Sequence, residues 1–230
     1  IFVNPTQFNN PDDLQKYPRT LDADVNKIAT LSDKIIVYAP TVADVYGDKT
    51  ESTSFNYDGL EHQMEGQFRP GHFDGVGTIV KFLLEIVQPT NAYFGEKDFQ
   101  QLQIVKKMVQ KNNLTTKIIG CPIFREPNGL AMSSRNERLS PTEREQASYI
   151  YQTLKEAKEK FISGTVSVKK IEEYVAKTIA KNPNFKLEYF QIADQETLLP
   201  CLRRSKNKNY RAFIAVFVNN IRLIDTISLK

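Results

Sequence analysis

The sequence predicts an α/β fold, a doubly wound parallel sheet followed by a smaller α+β unit. Two observations carry it. In the first half, short apolar runs of strand character alternate with segments of helical periodicity, the order that builds a parallel sheet covered on both faces. In the second half the order changes, with two helical segments preceding three strand-like runs. The composition shifts just after Cys121-Pro122, which predicts two units, residues 1–122 and 123–230.

Ile1-Phe-Val is an apolar run of the kind that fills a parallel sheet, ended by Asn4-Pro5, so Gln7 falls just past a strand end. It begins mid-strand and without methionine, and residues upstream are expected. Leu21, Val25, Ile28 and Ala29 recur at helical spacing, and Lys34-Ile-Ile-Val-Tyr-Ala39 predicts a second strand. Residues 41–70 are less regular, with short helices near 42–45 and 60–65 and a strand near 53–57. Val76, Ile79, Val80, Leu83, Leu84 and Val87 form one helical face, stopped by Pro89. Asn91-Ala-Tyr-Phe94 predicts a strand, residues 98–111 a helix and residues 115–120 a strand. Beyond a Pro- and Gly-containing linker come helices over 141–163 and 168–181, then strands over 186–192, 211–218 and 222–225.

Composition narrows the function without choosing it. Hydrophobic residues make up 40% and charged residues 25%, an ordinary globular balance. The net charge of +4 is a weak preference for anions and far from the basic stripe of a nucleic-acid binder. Cys121 and Cys201 lie far apart, and His62 and His72 are the only histidines, so neither a zinc site nor a disulfide framework is expected. That usage fits a reducing cytoplasm. No run approaches the roughly 18 apolar residues of a membrane span.

Three constellations carry chemistry. Phe94-Gly-Glu-Lys-Asp-Phe-Gln-Gln101 takes a strand into a glycine turn, alternating charges and a helix; Asp98 and Gln101 have capping-box spacing, and the charge of Lys97 suits a phosphate. Met132-Ser-Ser-Arg135 offers two hydroxyls and a guanidinium to phosphate oxygens. Its bland alternative is an ordinary turn with Asn136 and Arg138 solvated. Gln7 and Gln101 form the third, amides suited to a ligand carrying hydroxyls and a carboxylate. His72 could serve as acid or base, though a lone histidine at a helix start is more often structural. The run Arg203, Arg204, Lys206, Lys208, Arg211 reads as a solvated turn.

Taken in order, Ile1-Phe-Val-Asn-Pro-Thr-Gln-Phe, Tyr17-Pro-Arg-Thr, Arg69-Pro-Gly-His-Phe, the 94–101 stretch, Gly129-Leu-Ala-Met-Ser-Ser-Arg-Asn and Arg222-Leu-Ile-Asp resemble the pantothenate synthetases (pantoate:β-alanine ligases), of the nucleotidyltransferase superfamily. The resemblance implies a Rossmann-type first domain, a C-terminal lid domain, a homodimer, and ATP with Mg²⁺. It implies ATP contacts at Gly95, Glu96, Lys97, Asp98, Phe124, Met132, Ser133, Ser134 and Arg135, pantoate at Gln7 and Gln101, and β-alanine at Gln7, with Lys97 and Arg135 catalytic. The family's His-x-Gly-His signature precedes the strand at Ile1 and is not in this sequence. The expected reaction activates pantoate as its adenylate and then forms the amide with β-alanine. An inactive fragment, or a nucleotide- or RNA-binding module, is the alternative. A hinge between the two units is expected to close residues 132–135 toward Lys97.

Overall fold

The computed structural model describes residues 1–230. Nine α-helices form: α1 Pro11–Gln15, α2 Leu21–Ala29, α3 Val42–Tyr46, α4 Met64–Phe68, α5 His72–Val87, α6 Phe99–Lys111, α7 Pro141–Ala147, α8 Tyr149–Ile162 and α9 Val168–Ile179. Strands β1 Asn91–Gly95 and β2 Lys117–Cys121 pair in parallel, and β3 Phe185–Asp194, β4 Tyr210–Val218 and β5 Ile221–Ser228 form an antiparallel sheet in that order. The α/β reading holds, with a parallel sheet first and a smaller antiparallel sheet domain beyond it.

The parallel sheet is narrower than expected. Residues 1–3 and 34–39 are not strands: one hydrogen bond, from the Ile1 amino group to the Tyr38 carbonyl, joins them, and without a ladder partner the apolar run leaves Ile36 91% exposed. Residues 53–57 are not a strand either. Their alternate N–H groups are taken by side chains, Thr53 by Thr78 Oγ1 at 2.8 Å, Phe55 by Asp74 Oδ1 at 3.0 Å and Tyr57 by Glu61 Oε1 at 3.0 Å. An extended segment satisfied from the flank in this way needs no neighbouring strand. The helix expected over 141–163 breaks at Ser148, whose N–H and Oγ both turn back to the Glu145 carbonyl, at 3.2 and 2.6 Å.

Two apolar cores hold the chain. The larger packs α8 and α9 against the antiparallel sheet through Ile150, Leu154, Ile171, Val175, Ile214 and Val216. The other sits under α5 and α6, around Tyr57, Phe73, Leu102, Ile104 and Met108, and takes in Ala193, Leu198 and Phe213 from the antiparallel half. Phe99 meets Phe213 at 6.1 Å between centroids, and Phe68 stacks on Tyr189 at 5.3 Å. Four ion pairs cross the same boundary: Arg222 to Glu65 at 2.7 Å, Arg211 to Glu96 at 2.8 Å, and Arg135 and Arg138 to Asp13 at 2.6 and 2.7 Å. The two units are thus joined by both apolar packing and ion pairs.

Candidate active site

The parallel register pairs Gly95 with Cys121, so the chain leaves both strands at one edge, the carboxyl edge where open α/β sheets place ligands. Gly95 has an ordinary backbone, φ −68°, and a Cβ built on it would meet nothing within 4 Å. Packing does not demand a glycine there; the open side leaves room for a ligand to approach the backbone.

From Gly95 the chain makes a 3-10 turn, Glu96–Asp98, and runs straight into α6. That continuity removes the expected capping box. Asp98 makes no side-chain cap and its Oδ2 accepts from Lys97 Nζ at 3.3 Å. Lys97, Asp98 and Gln101 line a narrow cleft with Arg69, His72 and Asp225. The half-buried Gln101 side chain is left without a protein partner, whereas its neighbour Gln100 is buried and committed: it donates to the carbonyls of Leu60 and Gln63 at 2.9 and 2.8 Å and accepts from Glu65 N at 3.0 Å.

Glu96 turns away from the cleft to Arg211, whose guanidinium lies 4.1 Å over the Phe99 ring. Arg211 is thus a buried interdomain residue and not part of a solvated turn. Phe124 is 77% exposed, and its carbonyl accepts from Met132 N at 3.0 Å, folding residues 124–132 into a tight loop. Ser133 Oγ accepts from Arg135 N at 3.3 Å and opens the 3-10 turn Ser134–Arg138. Asn136 is buried, donating to Glu126 and to the Ala131 carbonyl, and Arg138 is paired, so the solvated alternative for this turn fails. Arg125 anchors the loop to β5 through Asp225, at 2.7 and 3.0 Å; burial raises the Asp225 carboxyl despite that guanidinium.

Arg135 and Arg138 face a second, larger cavity of about 500 Å³, also lined by Asp13, Lys16, Arg69 and Arg222. Arg69 lines both cavities and joins them. The two constellations expected to bind phosphate thus open onto two adjoining spaces, Lys97, Asp98 and Gln101 in one and Arg135 in the other. Gln7 lines neither; its side chain accepts weakly from Asn4, and its carbonyl receives Arg69 at 3.2 Å and His72 Nδ1 at 2.8 Å.

Behind the cleft lies a network that sequence reasoning missed. The Glu65 carboxylate takes a fork from Arg222 at 2.9 and 2.7 Å, a bond from Tyr189 at 2.7 Å and one from Arg69 at 3.3 Å. Burial alone would raise this carboxyl; the opposed guanidiniums hold it at about 2. His72 is held at about 4, first by burial and then by Arg69, so it is neutral near pH 7. The signal available was the pair of polar side chains in Arg69-Pro-Gly-His72, an arginine and a histidine set just before and at the start of the most apolar helix.

The family model described as Pantoate-beta-alanine ligase matches residues 1–228. The pantothenate synthetase of Flavobacterium psychrophilum is 67% identical over 230 residues, all of this chain and 81% of that protein. That of Bacteroides fragilis is 46% identical over all of this chain and 80% of its own length. Among solved structures, pantothenate synthetase from Thermus thermophilus superposes with a TM-score of 0.91 at 36% identity, covering 100% of this chain and 82% of its own. Pantoate-beta-alanine ligase from Francisella tularensis, complexed with beta-gamma ATP and beta-alanine, superposes with a TM-score of 0.79 at 36% identity, covering 100% and 77%. With the family model spanning nearly every residue, the chain belongs to the pantoate–β-alanine ligase family.

Proposed function

We propose that this protein joins pantoate to β-alanine at the expense of ATP, with residues 94–101 and 132–135 holding the nucleotide. Family membership supports the activity, and the Francisella neighbour's complex supports ATP and β-alanine as ligands. The observation that carries the site is the emergence of Lys97, Asp98 and Gln101 from the end of β1 into a cleft that adjoins, across Arg69, the arginine-lined cavity of Arg135.

In the first step a pantoate carboxylate oxygen bonds to the α-phosphorus and the bond to the β-phosphate bridging oxygen breaks, releasing pyrophosphate. The obstacle is an anion meeting a polyanion, and Lys97 and Arg135 lower it by placing positive charge beside the phosphates. Gly95, Phe124 and Met132 bring backbone close to the nucleotide, and Ser133 and Ser134 add hydroxyl donors. Glu96 contributes from its pairing with Arg211, by fixing the turn that carries Lys97.

In the second step the β-alanine amine attacks the acyl carbon, AMP leaves with the electron pair of the broken C–O bond, and the amine gives up a proton. Gln101 orients pantoate from the cleft, and Gln7, once its side chain leaves the weak bond from Asn4, binds pantoate and β-alanine. Mg²⁺ enters as part of its ATP complex, the usual way the ion reaches a nucleotide site. No helix is long and apolar enough to cross a membrane. A homodimer working in the cytoplasm completes the reading, and sedimentation tests the dimer.

Product analysis tests the function. With ATP, pantoate and β-alanine, equal amounts of pantothenate, AMP and pyrophosphate are expected; ADP and phosphate as products would overturn the adenylate route.

A further inference from the structure

Asp13 sits on α1, a short helix opened by Asn10, whose Oδ1 accepts from Asp12 N at 2.9 Å. Its carboxylate is shared between two guanidiniums, Arg135 Nε and Nη2 at 3.4 and 2.6 Å and Arg138 Nη1 at 2.7 Å. Tyr17 lies against the same Arg135, ring to guanidinium at 5.3 Å. Elsewhere around this cavity the cations are matched: Arg222 is taken by Glu65 and Glu188, and Arg69 by Glu65. At Asp13, one carboxylate balances two arginines that converge on it, while Lys16 and Asp12 stand on the wall of the same cavity and offset one another. A phosphate chain carries more charge and more acceptor oxygens than a carboxylate, and arginine forks bind it in two-point contacts. The adjoining space of about 500 Å³ is within the range of small-molecule sites.

We propose that Arg138 is a second arm of the phosphate clamp, gripping with Arg135 the β and γ phosphates of ATP and the pyrophosphate they become, at the point where the Asp13 carboxylate sits. Asp13 is then a tethered competitor: it keeps the two guanidiniums aimed and gives up its place to phosphate oxygens. The exchange links nucleotide entry to displacement of α1 and the Tyr17 segment, and the return of Asp13 helps to expel pyrophosphate. The inference rests on the reading of Arg135 as a phosphate ligand.

Titration of the intact protein with inorganic tripolyphosphate, together with steady-state kinetics, tests it. Arg138→Gln is expected to weaken tripolyphosphate binding and raise KM for ATP about ten-fold, leaving KM for pantoate and β-alanine unchanged, and Arg138→Lys to recover part of the loss. Asp13→Asn, which keeps a side chain of the same shape without its charge, is expected to tighten tripolyphosphate and to strengthen product inhibition by pyrophosphate. Unchanged tripolyphosphate binding in Arg138→Gln, or in Arg138→Lys if the first variant does not fold, overturns the proposal. Weaker binding in Asp13→Asn overturns the competitor role. Arg135→Ala separates the two readings: loss there with none at Arg138 rejects only the second arm, whereas no loss at either Arg135 or Lys97 rejects the phosphate site itself.

Discussion

Adjacent residues of one type differ in their partners at Gln100 and Gln101. Gln100 stands one and two turns ahead of Ile104 and Met108, both buried, and its amide completes three hydrogen bonds inside the protein. Gln100→Ala strands the Glu65 N–H and two carbonyls, so a loss of about 1–3 kcal/mol in urea unfolding is expected. Gln101→Ala breaks no protein bond; stability should hold while pantoate affinity falls by roughly 1.5–3 kcal/mol for each charge-assisted bond removed, read from KM for pantoate against KM for ATP. Helix phase distinguished the two in principle, because the apolar positions of α6 are plain in the sequence. Arg138 was harder: its partner, Asp13, is 125 residues away, and no local pattern marks an arginine as paired.

At the scale of elements, packing and local capping account for what forms. α7 begins at Ser140 with a true capping box, Ser140 Oγ accepting from Glu143 N and Glu143 accepting from Ser140 N, while α6 has none. Ser140→Ala is expected to cost about 1 kcal/mol. Asp98→Ala should change stability by no more than about 0.5 kcal/mol, because its partner is the neighbouring Lys97 and not the helix end. Parallel urea titrations of the two variants check the contrast. β1, α5, α6, α9 and the antiparallel sheet were legible because their apolar periodicity matches the face they bury. Residues 34–39 and 53–57 were not: β-branched and aromatic composition indicates strand character, but a strand also needs a partner, and at 53–57 the side chains of Asp74, Thr78 and Glu61 take that place.

Across the whole molecule, the two halves share a core and are tied by ion pairs at Glu65, Glu96 and Asp13. Glu65→Gln leaves Arg222 with Glu188 as its remaining carboxylate, so a loss of about 3 kcal/mol, the lower end for a broken buried pair, is expected at pH 7. Unfolded, His72 titrates near 6.5 and Glu65 near 4.5; folded, they are held at about 4 and about 2. The unfolded chain therefore binds more protons between those values. The contribution of these two groups is full above about pH 6.5 and falls as acid is added, first through His72 down to about 4, then through Glu65 from 4.5 to about 2. His72→Gln should flatten the upper part of that curve and Glu65→Gln the lower, as followed by unfolding midpoints across pH. The displacement proposed above on nucleotide binding belongs to the segments around Asp13 and Arg135, which lie at this same boundary.

The central claim is that the turn after β1 brings Lys97 to the phosphates for adenylate formation, and pantoate-dependent exchange of labelled pyrophosphate into ATP, without β-alanine, reads that step alone. The parent protein should catalyse the exchange, and Lys97→Ala should lose it by at least about a hundred-fold, or some 2.7 kcal/mol, with an unchanged circular dichroism spectrum. Exchange in Lys97→Ala at the parent rate would contradict the account.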